Sequence, residues 1–296
     1  MNAQVVDWLT LVLAVAAAWS MGHHYSGAVV GPAFGSKAVA MYLGIALAGV
    51  FVVLGSLATN VVSTYASLAD VSGAYNLAAL SSLVLMANLT TYLKVPTSTI
   101  QLYAFSLLGA AVATGAAVDY RLFLLLGVGW VLSPAASYLL ARPVHKAIPS
   151  GSRHLRLLIV CIMLYSAFVL GLNDVSNAAS SLVLAGFGSV FARVVCGVGM
   201  YAGMLAWGPR LIRRVGEELV AMDPAKAVAS QLTKSVVVST LNVFGLNASM
   251  NQAIVAALAA LGARREVLRS IFLGWVYSPL VGFATAYALA VLIAHA

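Results

Sequence analysis

The sequence predicts an all-α polytopic membrane protein of two inverted repeats, about five spans each, with broken helices or re-entrant hairpins. Three observations lead there. Of the 296 residues, 62% are hydrophobic and 8% charged, with a mean hydropathy of +0.99, whereas a soluble domain carries roughly a quarter charged residues. Apolar stretches of about 20 residues, the length that crosses a hydrocarbon core, recur along the chain, so the first is expected to be a span and not a removable signal. Finally, three short motifs each return once, in the same order, about 150 residues later, the build expected of transporter repeats.

The spans follow from the charge pattern. The net charge of +8 comes from Lys and Arg in short connectors, which is how orientation is written into a membrane sequence, and no nucleic-acid partner is expected. Connectors Arg142–Arg156, Arg210–Lys226 and Arg264–Arg269 are basic and expected in the cytoplasm. The N-terminus before Trp8 and the connector Thr59–Asn76 contain no Lys or Arg and are expected outside the cell membrane. Between these anchors lie spans near 8–30, 38–58, 76–94, 97–116 and 121–141, then 156–186, 190–209, 227–246, 248–263 and 270–294. Ten crossings satisfy every anchor, and an odd number per half inverts the second half. The expected organisation is a first repeat over 1–142, a cytoplasmic connector over 143–155 and a second repeat over 156–296.

The repeats are visible in the letters. Gly129-Trp-Val-Leu-Ser-Pro134 returns as Gly274-Trp-Val-Tyr-Ser-Pro279, Pro96-Thr-Ser-Thr-Ile-Gln101 pairs with Asn247-Ala-Ser-Met-Asn-Gln252, and Gly22–Ala28 pairs with Gly171–Asn177. Residues 5–36 and 156–187 would each reach about 48 Å as one helix, beyond a core of about 30 Å, so breaks are expected, the first at Gly31, Pro32 and Gly35. Pro96 suits a first helical turn, and the Ser98 and Thr99 hydroxyls can donate to an oxyanion. Re-entrant hairpins at 95–118 and 245–263 are an alternative to spans there. Ser133-Pro134 and Ser278-Pro279 read as kinks, with each serine satisfying the backbone its proline frees.

Asp174 is the one carboxylate between Leu155 and Trp207. An acid near the midplane costs about 2.5–3.5 kcal/mol on insertion scales and so marks a substrate, ion or proton site. Asn173, Ser176 and Asn177 surround it with amide and hydroxyl groups. His23 and His24 are adjacent and point about 100° apart on a helix, awkward for shared metal ligation. His24 is the candidate titrating partner of the substrate, and Tyr25 reads as packing or a gate.

These motifs resemble the inorganic phosphate transporter family, including its sulfate-permease-like branch. That family carries a Gly-Ala-Asn-Asp-Val-Ala-Asn type motif and a later Pro-Val-Ser-Thr-Thr-His type motif in each repeat. Gly171, Asn173, Asp174, Val175 and Asn177 match the first motif. Gly31-Pro32, Gly35-Ser36-Lys37 and Asp223-Pro-Ala-Lys-Ala227 also look like family segments. In the first repeat, His24, Tyr25 and Ala28 stand where the family has Asn, Asp and Asn, and Gln101 and Gln252 replace the histidines. The resemblance implies a secondary transporter with no cofactor, binding an oxyanion at the repeat interface through Asn173, Asp174, Asn177, Ser98, Thr99, Ser249 and Asn251. His24, Tyr25, Gln101 and Gln252 are the candidates for proton coupling or substrate contact. It further implies coupling to Na+ or H+, with Na+ near Asp174 and Asn177. Phosphate is the expected substrate and sulfate the alternative, because one buried Asp instead of two weakens the selection for a protonated oxyanion. An anion channel is a lesser reading. An enzyme is not expected, since no His-Glu-x-x-His or Ser-His pairing stands at useful spacing. A homodimer is compatible with the sequence.

Overall fold

The computed structural model describes residues 2–58, 67–71, 73–149 and 154–295. Half of the connector Thr59–Asn76, at 59–66 and 72, lies outside the described residues, as do residues 150–153 of the basic connector 143–155. Eleven α-helices fill the described residues: α1 Ala3–Gly35, α2 Met41–Ala58, α3 Ala74–Tyr92, α4 Thr99–Thr114, α5 Tyr120–Ala147, α6 Leu155–Leu184, α7 Ser189–Ala206, the short α8 Pro209–Arg213, α9 Pro224–Val243, α10 Met250–Ala260 and α11 Arg265–Ala294. A widened turn, Arg214–Glu218, extends α8.

Apart from α8, each helix falls on one expected span, but the ten-crossing count needs correction. Six helices, α1, α2, α5, α6, α7 and α11, are long and apolar enough to cross a membrane. The others form two hairpins, α3–α4 and α9–α10. At the open end of the first, Asp70 N–H donates to Ala117 O and Asp119 N–H to Leu68 O. At the open end of the second, Arg264 N–H donates to Leu219 O. The N-termini of α4 and α10 meet each other through their first-turn side chains, Gln101 on Gln252. At 16 and 11 residues these helices reach only about 24 and 17 Å. Neither is long enough to cross a core of about 30 Å, and each starts at a buried polar tip.

A second correction concerns α1 and α6, which run unbroken for 33 and 30 residues. Pro32 lies within the last turn of α1, so its missing N–H removes only the bond to Ala28 O. The chain is interrupted instead at the hairpin tips, residues 93–98 and 244–249.

Helix pairing is reciprocal. α1 packs on α7 as α6 packs on α2, and α4 packs on α11 as α10 packs on α5. The contacts agree residue by residue. A Cβ on Gly22 would lie 1.8 Å from Met200 O, and one on Gly171 would lie 2.0 Å from Val52 O; Gly203 faces Trp19 O and Gly55 faces Phe168 O in the same way. The first glycine of each motif is therefore where two helix backbones touch. The three basic connectors gather at one end, where a cleft is lined by Arg142, His145, Lys146, Lys226 and Gly262, and the Arg142 Nε–H donates to Ala260 O at 2.6 Å.

Candidate substrate site

The two hairpin tips meet midway along the bundle, where the sequence carries its densest polar runs. Each tip ends in a serine that caps the next helix: Ser98 Oγ accepts from Gln101 N–H at 3.2 Å and Ser249 Oγ from Gln252 N–H at 3.3 Å. The remaining first-turn N–H groups of α4 and α10 have no intrahelical acceptor, and two positive dipole ends converge there. Thr97, Ser98, Thr99, Asn247, Ser249 and Asn251 are all buried. Across the meeting point the two glutamines exchange amide bonds, Gln101 Nε2–H to Gln252 Oε1 at 3.3 Å and Gln252 Nε2–H to Gln101 Oε1 at 2.9 Å. Asn251 Nδ2–H donates to Thr97 O at 2.8 Å, joining tip to tip.

The Gly-Trp repeats hold these tips from outside. Ser133 Oγ donates to Ser249 O at 3.3 Å, and Trp275 Nε1–H to Pro96 O at 2.9 Å. Helices α5 and α11 continue through Pro134 and Pro279. Ser133 thus serves the neighbouring tip and not its own proline-freed backbone, and Ser278 Oγ has no partner.

Asp174 is fully buried on α6. Its Oδ2 accepts from Asn173 Nδ2–H at 2.9 Å, and the same amide donates to Ala248 O of the second tip at 2.8 Å. Tyr25 completes a bridge: its hydroxyl hydrogen-bonds the Asp174 carboxylate and accepts from Thr99 Oγ1–H at 3.0 Å. Tyr25 therefore connects α1, the start of α4 and Asp174, more than the packing role read from sequence. Asp174 Oδ1, Asn173 Oδ1, Asn177 Oδ1 and Asn251 Oδ1 have no donor, and Asn247 has neither amide atom satisfied. Buried polar atoms are rarely left so, and this cluster of open oxygens is the donor set a hard cation or a hydroxyl-bearing ligand takes.

The N-terminal half differs. Thr97 N–H donates to His24 Nε2 at 3.1 Å, which makes Nδ1 the donor to Thr91 Oγ1 at 2.8 Å. Thr91 O–H then donates to His23 Nδ1 at 3.1 Å, and His23 Nε2–H to Asn88 Oδ1 at 3.1 Å. The Asn88 amide hydrogens end the chain on Ser20 Oγ and Val84 O. Every donor has an acceptor, so the two imidazoles tie α1 to the first hairpin.

One buried charge escaped the sequence reading. Lys234 on α9 is fully buried, donates to Ala28 O at 2.6 Å and Ser166 Oγ at 2.5 Å, and interacts through charge with Asp174. The signal was present: a lone lysine within an apolar segment marks function by the same rule that flagged Asp174.

Six helices long and apolar enough to cross a membrane, packed with two hairpins whose polar tips meet, mark a multi-pass membrane protein. Residues 21–153 and 143–270 match the phosphate transporter family, and the chain belongs to that family, whose members are transporters and not enzymes. It is 25% identical, over 94% of its length and 95% of the other's, to a protein named as a phosphate permease in Methanocaldococcus jannaschii. It is 30% identical to the sodium-dependent phosphate transporter 2 of Xenopus tropicalis and 28% to the human sodium-dependent phosphate transporter 1. Those two matches cover 47% and 46% of this chain but only 24% and 23% of the relatives. In fold it superposes on a solved sodium-dependent phosphate transporter with a TM-score of 0.86, at 16% identity, over 98% of this chain and 99% of that one. The sulfate alternative gains no support from these relatives.

Proposed function

We propose that this chain carries inorganic phosphate across the cell membrane as a Na+-coupled symporter, with its N-terminus outside and its halves inverted by three crossings each. The observation that carries this reading is the meeting of the α4 and α10 N-termini beside Asp174. Helix N-termini are anion sites, so the first-turn N–H groups, with Ser98, Thr99, Ser249 and Asn251, take the phosphate oxygens. Asp174 accepts the proton of hydrogen phosphate, which sulfate lacks. The open oxygens of Asn173, Asp174 and Asn177 suit Na+, which prefers oxygen ligands, and a cation there offsets the substrate's charge. Alternating access follows if the halves rock about the paired tips.

The Gln101–Gln252 amide pair holds the tips in register. Replacing either by Ala should lower stability by about 1–2 kcal/mol, since the partner amide loses both bonds. The double variant should cost less than the two single costs added, with a coupling energy of about 1 kcal/mol in a double-mutant cycle of thermal unfolding. Additive losses would mean that the pair does not act as a unit.

His24 acts here by anchoring the first tip. His24→Ala should lower phosphate uptake by a similar factor at every pH tested, because a loosened tip misplaces Ser98 and Thr99 whatever the proton concentration. A pH profile of changed shape in initial-rate uptake would instead make His24 the proton-carrying partner.

A further inference from the structure

We propose that the Lys234 ammonium is a built-in cation, tethered in a position beside Asp174 that a coupling Na+ would otherwise occupy. This rests on the phosphate-symport reading above and adds to it the identity of one positive charge.

The oxygens around Lys234 are those a Na+ site uses. Ala28 O is free because the residue four positions on is Pro32, which has no N–H to return, so a helical carbonyl is left open inside the protein. Ser166 Oγ supplies a hydroxyl from α6, and Asp174, two turns further along α6 and beyond ion-pair contact, acts on the position through its negative charge. One turn before Lys234, Gln231 Nε2–H donates to Val29 O at 2.6 Å while its Oε1 stays open. Carbonyl, hydroxyl and carboxylate are hard oxygen donors, and in discontinuous-helix transporters freed carbonyls coordinate Na+. Here two N–H bonds of one ammonium fill the carbonyl and the hydroxyl, at 2.6 and 2.5 Å. An ammonium without such partners would cost several kcal/mol to bury, which is why the lysine sits where Pro32 opens the backbone. Lys234 joins α1, α6 and α9 as an ion would, but it cannot leave with the substrate. Its charge is therefore not transported.

The test compares wild type, Lys234→Ala and Lys234→Ser, the last keeping a hydroxyl for Ala28 O. Radiolabelled Na+ and phosphate fluxes are measured together in proteoliposomes, and thermal midpoints in detergent are compared between Na+ and choline at equal ionic strength. The expected result is one more Na+ carried per phosphate in both variants than in wild type, and a rise in thermal midpoint with Na+ larger than that of wild type. An unchanged flux ratio in phosphate-transporting variants, or a Na+ response no larger than wild type's, overturns the proposal. Failure of both variants to fold in saturating Na+ overturns it too, since an ion should then stand in for the ammonium. Absence of saturable phosphate uptake by wild type would sink the symport reading, and the thermal comparison would still report on the cation position.

Discussion

Asp174→Asn is expected to reduce phosphate uptake by about a hundredfold, the equivalent of losing a charge-assisted hydrogen bond worth on the order of 3 kcal/mol. The amide has the carboxylate's shape but presents N–H groups where the substrate's proton and a cation need acceptors. It also faces Asn173 Nδ2–H, which now donates to Oδ2 at 2.9 Å. The substitution also removes the negative charge that acts on the buried Lys234 through the protein interior, so a lower thermal midpoint accompanies the lost transport. Pairing it with Lys234→Met removes the stranded charge and should restore much of the stability without restoring uptake. If the double variant transports at wild-type rate, Asp174 is a structural counter-ion and not part of the phosphate site.

Gly171→Ala should be strongly damaging for a one-methyl change, as should the same change at Gly22, Gly55 and Gly203. The methyl added at Gly171 would lie 2.0 Å from Val52 O and 2.8 Å from Ser56 N, both backbone atoms of α2, so no side chain can turn aside. Overpacking of this kind costs about 1–3 kcal/mol even where neighbours can shift, and a cost at the upper end is expected when two helix backbones must separate. Gly127→Ala is the control, because no atom lies within 4 Å of its added Cβ and a helical alanine gains up to about 1 kcal/mol over glycine. Thermal unfolding in detergent should put Gly171→Ala well below wild type and Gly127→Ala at or above it. Equal midpoints would mean that the α2–α6 contact is looser than the structure gives.

The segments were legible because apolar length is a strong signal, and helices Met41–Ala58 and Leu155–Leu184 begin and end within three residues of the expected spans. The hairpins were only half legible. Residues 97–116 and 248–263 are apolar enough to suggest spans, and only the contact between Gln101 and Gln252 places their starts at the centre. Pro32 reads as a helix break, but near a helix end proline removes one bond and α1 continues. Asp174 stood out because a lone acid in an apolar run is rare. Lys234 did not, since a basic residue in a membrane sequence reads first as a topology signal. The chemistry of His24 and Tyr25 was hidden for another reason: each acts through partners 67 to 74 positions away, Thr91, Thr97 and Thr99, and no local pattern records them.

Phosphate bound between the two hairpin tips and carried with Na+ is the centre of the account, and uptake of radiolabelled phosphate into proteoliposomes tests it most directly. The measurement is made under an inward Na+ gradient, then under a proton gradient alone, each with and without excess sulfate. The expected result is saturable accumulation that requires the Na+ gradient and is unaffected by sulfate. Accumulation driven equally well without Na+, displacement by sulfate, or a flux that rises linearly with phosphate would contradict it.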